Sequence, residues 1–293
     1  MKNWKASHTL LALIALFGII FLGFEFQNIA DLFVYLYATD NLFALDNLYK
    51  ELYGNPPVFF YMGNPFITLW FYPLAQLPFG LAALLWKSLS ILALYRIWKI
   101  IESYFPVNSL SQAKWSWWIF FSFASSLFVI YANLHLVQHT ILMFYLSMEG
   151  IFQIQRKNRD LLGSLLISIA IATKISPIVL FPYLVYRKNF RASFYILLLC
   201  ISYLFIPAAF IGWEKNMNLW AEWWSIIDPN ASIFDMNNRK NHGISALLAT
   251  LFIENIQDNI ENLTHRRHLI GLSEGTVIGL IYGCRILLML LTF

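Results

Sequence analysis

The chain has 293 residues, of which 59% are hydrophobic, 18% aromatic and only 12% charged. A soluble globular domain carries about 25% charge, so this composition excludes one and points to a membrane protein. The net charge of +4 comes from short basic clusters between apolar runs and gives no nucleic-acid signal.

The apolar runs are those of helices, not of the short alternating strands of a membrane barrel. Lys2 and Lys5 precede an apolar run from Leu10 to Phe24. The residues that follow lack a small-x-small cleavage pattern, so an uncleaved signal anchor is expected. Candidate spans are 8–26, 80–98, 115–132, 137–155, 160–173, 177–186, 190–212 and 270–292, which makes about eight, two of them short. They form one expected transmembrane domain over 1–293, all-α, with outer loops at 27–79 and 213–269. Cys200 and Cys284 lie inside apolar runs and read as packing residues.

Within 27–79 a short helix is expected at 47–53, after Asp46 and before Gly54. Residues 65–77 are apolar but reach only about 20 Å as a helix, short of a bilayer core of about 30 Å. With Pro73 and Pro78 they read as a re-entrant or interfacial helix.

Lys and Arg set the orientation. With the N-terminus inside, the cytoplasmic side receives Lys2, Lys5, Arg96, Lys99, Lys114, Arg156, Lys157, Arg159, Arg187, Lys188 and Arg191. The rule holds only if 160–186 is two short helices joined at Lys174-Ile175-Ser176-Pro177. Pro177 can open the second of them, where its missing N–H costs nothing. Broken backbone at membrane depth lines a cavity or is buried in protein, so 65–79 and 173–177 point to one cavity on the outer side. In 213–242, Trp213, Met217, Trp220, Trp224 and Ile227 fall at helical spacing and read as a helix in the interface plane. Residues 243–253 are apolar but too short to span.

This topology gathers a short list of polar residues on the outer face. Asp31 follows the first span and is either a water-facing residue at a helix exit or the base of an active site. Asn133, His135, Gln138 and His139 lie between the third and fourth spans. Gln138 and His139 can bond neighbouring helices or recognise sugar hydroxyls. Lys174 sits at the broken joint. A membrane-centre lysine costs about 2.5–3.5 kcal/mol, so it either snorkels or serves an anion such as a lipid phosphate. Asn241, His242 and Ser245 precede or open the 243–253 helix, as caps or ligand contacts. Lys87 reads as a structural contact within the bundle, and Glu149 as a side chain reaching the inner interface. His265 and His268 flank two arginines in a patch that reads as a solvated or headgroup-facing loop. No Gly-rich phosphate loop, zinc spacing or G-x-S-x-G element is present.

The order of these elements resembles glycosyltransferase family 87. The shared pattern runs from Asp31-Leu-Phe33-Val-Tyr35 through a Tyr/Pro-rich element (Tyr61 to Pro65, Phe71 to Pro78). It continues with Asn133-Leu-His-Leu-Val137-Gln138-His139, Lys174-Ile-Ser-Pro177, and Asn241-His242-Gly243-Ile244-Ser245. Val137 stands where the family has Gly before its Gln, and His242-Gly243 stands for Gln-Ser.

The resemblance implies the C-type glycosyltransferase fold. It also implies inverting transfer of a hexose, expected to be mannose, from a polyprenyl-phosphate-sugar donor to a glycan or lipid acceptor. The implied location is the extracytoplasmic face of the plasma (inner) membrane. Asp31 would be the general base and Lys174 the donor-phosphate ligand. Asn133, Gln138, His139, Asn241 and His242 would contact substrate. The lipid-linked sugar is a substrate, and no cofactor is expected. Two rival readings stay open: a transporter or flippase, to which broken helices are also suited, and an inactive truncated relative, since the sequence ends inside an apolar run.

Overall fold

A computed structural model describes residues 15–21, 23–24, 30–44, 48–50, 52–53, 59–104, 111–227, 244–253 and 269–292. It divides into two compact units, 1–223 and 224–293, and the described residues are mostly helical. In the first unit the helices are α1 (Ala30–Ala44), α2 (Pro65–Ala75), α3 (Phe79–Tyr104), α4 (Gln112–His135), α5 (Thr140–Lys157) and α6 (Asp160–Thr173). They continue with α7 (Leu180–Tyr186), α8 (Phe190–Phe205), α9 (Ala208–Ile211) and α10 (Trp213–Ile227), whose last turn passes into the second unit. A helical stretch over 15–21 precedes them.

Three helices are long and apolar enough to cross a membrane: Phe79–Tyr104, Trp117–His135 and Phe190–Ile211. The eightfold span count is therefore met in only three places among the described residues. Others are short, such as α6 at 14 residues and the Ser176–Tyr186 stretch. The 18-residue α5 carries Glu149, Arg156 and Lys157.

The expected helix at 47–53 is not formed. Residues 48–50 make a turn, and Leu52–Tyr53 form a strand, β1, paired antiparallel with β2 (Phe59–Phe60). Gly54-Asn55-Pro56-Pro57 between Leu52-Tyr53 and Phe59-Phe60 is hairpin chemistry, and it outweighs the weak capping signal of Asp46. In contrast, 65–77 folds as the short helix α2. Asn64 caps it by accepting from the Ile67 N–H (2.9 Å), and Pro65 opens it. The Asn64 side-chain amide also donates to the Ala172 carbonyl, tying the start of α2 to the last turn of α6.

The main core joins Leu32 and Leu36 of α1, Phe66, Ile67 and Phe71 of α2, and Ala82, Ala83 and Trp86 of α3. Val137, Ile169 of α6 and Tyr203 of α8 complete it. Phe66 stacks on Tyr203 with ring centroids 4.1 Å apart, and the Tyr203 hydroxyl pairs with Ser168 Oγ at 2.9 Å. A second cluster, Ile154, Ile167, Leu184, Ala192 and Ile196, binds α5, α6, α7 and α8. Helix α6 packs most extensively against α5 and α8. Its buried face mixes Ile167 and Ile169 with the small residues Gly163, Ser164, Ser168 and Ala170, and the small ones let the backbones approach closely.

Glu149 is satisfied within the protein. It is buried, takes two hydrogen bonds from Arg96 (Nε at 2.7 Å, Nη2 at 3.1 Å) and one from Gln153 at 2.6 Å. A carboxylate within an apolar helix is more cheaply placed against a guanidinium fork than left to find water alone. Lys87 is buried as expected of a residue internal to the bundle, its Nζ 5.8 Å from the Phe21 ring centroid.

Helix α10 is formed where the Trp spacing predicts it, with Trp213, Met217 and Trp224 exposed. Lys215 Nζ donates to the Leu42 carbonyl at 2.8 Å and Trp223 Nε1 to the Met62 carbonyl at 3.0 Å. Asn216 and Trp220 both donate to the Leu204 carbonyl.

The second unit pairs α11 (Ile244–Phe252) with α12 (Glu274–Thr292) through Ala249, Ile253, Val277 and Ile281. Within it, Arg285 Nη2 donates to Ser245 Oγ at 2.8 Å.

Candidate functional site

Asp31 lies in the first turn of α1. A carboxylate there faces the positive end of the helix dipole. One helical turn on, Tyr35 shares its face. Burial first, and then the Asp31 charge, push the Tyr35 phenol above its ordinary pKa, so it stays protonated.

The turn at 136–139, between α4 and α5, meets Asp31 twice. The Asp31 backbone N–H donates to the Leu136 carbonyl at 3.0 Å, and Gln138 Nε2 donates to Asp31 Oδ2 at 3.1 Å. Gln138 is in turn held by Asn133, whose Nδ2 donates to Gln138 Oε1 at 3.2 Å. The Gln138 backbone N–H donates to the Asn133 carbonyl at 2.9 Å. Trp86 Nε1 donates to the Gln138 carbonyl at 3.4 Å. The turn needs a left-handed residue, and Val137 supplies it at φ +53°, with its side chain buried in the main core. For a β-branched residue that conformation is strained by about 1–2 kcal/mol.

His139 follows, its ring edge-on to Tyr35 with centroids 5.2 Å apart. Its Nδ1 is buried with no hydrogen-bond partner among the described residues, as is Asn133 Oδ1. Burial, and next the Lys174 charge, lower the His139 pKa to about 4, so its imidazole is neutral at pH 7. Lys174 ends α6 in extended backbone (φ −147°, ψ 127°), and Ser176–Val179 then turns as a 3-10 helix before α7. The break in 160–186 thus falls at the expected joint. Lys174 Nζ is exposed and reaches Thr140 Oγ1 at 3.4 Å, the first residue of α5.

The structure therefore brings together Asp31, Asn133, Gln138, His139 and Lys174 from three separate stretches. Asn241 and His242 lie outside the described residues. A cavity of about 450 Å³ adjoins this group. Its lining is almost wholly apolar, from Ile91, Ile97, Phe123, Val129, Ile130 and Phe144, with Asn133 and Thr140 among its few polar members. Sequence reasoning missed four supporting residues. Tyr35 was visible one turn from Asp31 on a helix, whereas Trp86, Asn64 and Thr140 take part through contacts that only the fold creates. Among the described residues no three His, Cys, Asp or Glu side chains cluster to hold a metal ion.

The model of glycosyltransferase family 87 matches residues 61–291. The chain belongs to glycosyltransferase family 87. It is a glycosyltransferase with membrane helices, acting on a sugar donor and an acceptor. Asn133, Gln138, His139 and Lys174 fall inside the matched stretch of this family 87 chain, and Asp31 falls before it. Searches of functionally characterised proteins and of solved structures each returned no match.

Proposed function

We propose that this glycosyltransferase moves a hexose, mannose, from a polyprenyl-phosphate donor to a hydroxyl of a glycan or lipid acceptor. The proposed setting is the extracytoplasmic face of the plasma membrane, in a C-type bundle of about eight spans. The observation that carries the reading is the grouping itself. A carboxylate is held by hydrogen bonds from a turn more than a hundred positions away, and a lysine is tied to the helix that starts at the same turn.

In this mechanism Asp31 takes the proton of the acceptor hydroxyl as its oxygen attacks the anomeric carbon. The bond from that carbon to the phosphate oxygen breaks, and the phosphate leaves with the electron pair. Attack opposite the leaving group inverts the anomeric centre. Lys174 neutralises the charge that develops on the phosphate, and a primary ammonium suits that role as a point charge. Asn241 and His242 are proposed as further substrate contacts. The apolar cavity beside Asn133 and Thr140 offers the hydrocarbon part of a lipid substrate a place out of water.

The test is transfer of labelled mannose from polyprenyl-phosphate mannose in membranes carrying the full chain. Removing a general base costs about 10²- to 10⁴-fold, so Asp31→Asn should reduce transfer by that order at unchanged protein level. Equal transfer by the two proteins would remove Asp31 from the mechanism. Flux of a polar substrate across vesicles without donor cleavage would favour transport instead.

A further inference from the structure

Resting on Asp31 as the base, we propose that Asn133 and Gln138 are positioning residues that aim the Asp31 carboxylate, rather than contacts to the sugar. A carboxamide has a donor end and an acceptor end, and here each is engaged by protein. Asn133 Nδ2 donates to Gln138 Oε1, which fixes the acceptor end. The donor end is thereby turned to Asp31, where Nε2 meets Oδ2 at 3.1 Å. The order Asn133 to Gln138 to Asp31 is thus directional: the first amide sets which end of the second faces the carboxylate.

The backbone reinforces this order. The Gln138 N–H is returned to the Asn133 carbonyl, and the Gln138 carbonyl takes the Trp86 indole N–H. The left-handed Val137, anchored in the core, reverses the chain between Leu136, which accepts from the Asp31 N–H, and Gln138, which donates to its side chain. One four-residue turn therefore grips Asp31 by both backbone and carboxylate. Strain retained in such a turn is consistent with a geometry that the surrounding packing enforces.

A carboxylate that accepts a hydrogen bond is stabilised in its charged form. Removing Gln138 should therefore raise the acid limb of the kcat/KM profile as well as let the carboxylate swing. The experiment uses the full chain in membranes, with polyprenyl-phosphate mannose as donor. It compares Asn133→Leu, Gln138→Leu and the double variant. Each single change should lower kcat by about tenfold or more, as expected when a catalytic group is misplaced, with both KM values within about twofold of wild type. The double variant should be no worse than Gln138→Leu alone, because Asn133 acts only through Gln138. Gln138→Leu should also move the acid limb to higher pH, and Asn133→Leu should move it less.

Gln138→Glu is the near-isosteric second variant should Gln138→Leu fail to accumulate. Two carboxylates within hydrogen-bond reach share a proton, so its acid limb should move further up. Losses that appear in KM, or that multiply in the double variant, would overturn the proposal and restore Asn133 and Gln138 as independent substrate contacts. An unchanged acid limb in Gln138→Glu would do the same. If Asp31→Asn keeps full transfer, the underlying mechanism fails. If it is inactive while the two amides behave independently, only the positioning role fails.

Discussion

Replacing Gly150 by alanine should damage both stability and transfer. Gly150 of α5 and Gly163 of α6 face one another where the two helices cross. A methyl at Gly150 would lie 2.5 Å from Ile167 Cγ1 and 2.8 Å from the Gly163 carbonyl oxygen. At Gly163 it would lie 2.5 Å from Ile154 Cγ1 and 2.6 Å from the Gly150 carbonyl oxygen. The isoleucines can turn to another rotamer, but the carbonyls cannot move without their helices. Since carbon and carbonyl oxygen sit comfortably at about 3.3–3.6 Å, the helices must part by nearly 1 Å. Overpacking of that kind costs about 1–3 kcal/mol, and the better helix propensity of alanine returns at most about 1 kcal/mol. Each single change should therefore cost about 1–2 kcal/mol, a loss of several degrees in Tm for a unit of this size. One separation relieves both clashes, so the Gly150→Ala/Gly163→Ala double variant should lose less than the two singles added. Thr140 and Lys174 lie about ten residues, or roughly 15 Å, along their helices from this crossing, so their contact should loosen and transfer should fall. Thermal unfolding of the purified chain in detergent, followed by intrinsic tryptophan fluorescence, and mannose transfer read the two effects. Wild-type melting and activity in Gly150→Ala would refute the close crossing and its control of the Lys174 position.

Three further outcomes follow from single residues. Glu149→Ala leaves the Arg96 guanidinium without its partner; that side chain is 41% exposed and can turn to water, so the cost should be about 1–3 kcal/mol, whereas Arg96→Met with Glu149→Leu should be near neutral; melting of both variants checks this. His139 has a folded pKa of about 4 against an ordinary 6.5, so its contribution is fully present above about pH 6.5 and is lost as pH falls towards 4. The loss is up to about 3 kcal/mol, and His139→Gln should flatten that part of the stability–pH curve. At Val137, alanine keeps the left-handed strain while losing buried methyls, and glycine loses more surface but removes the strain. Val137→Gly should therefore melt no lower than Val137→Ala, the reverse of their order in an ordinary helix.

The features legible in the sequence were those set by local chemistry. Pro177 and the shortness of 160–173 gave the break at Lys174, and the short apolar run 65–77 with Pro73 and Pro78 gave the short helix α2. The pairing of 52–53 with 59–60 escapes that reading because Asp46, taken as a cap, is weighed above the Gly54 and prolines that follow it. The helix carrying Asp31 has no clear local signal: on α1 Leu32, Val34 and Leu36 are all buried, at a spacing of two rather than of three or four. Glu149 was misplaced for a different reason. Its partner Arg96 lies near the end of another span, and nothing local to either residue announces a pair 53 positions apart.

The site follows the same division. Orientation rules can put Asp31, Gln138 and Lys174 on one face, but not within bonding distance. What brings Gln138 to Asp31 is a left-handed residue and a core that buries its side chain. Glycine would take that backbone at no steric strain. Here valine occupies the position and still adopts φ +53°, so packing of Val137 against the α1, α2 and α3 cluster must exceed the strain. Full burial of a valine contributes about 1.5–3 kcal/mol, against a strain of about 1–2 kcal/mol, and the margin is narrow. The turn that holds the proposed base is thus maintained by the core rather than by its own backbone preference. Core substitutions around Val137 should therefore disturb the Asp31 geometry before they unfold the chain.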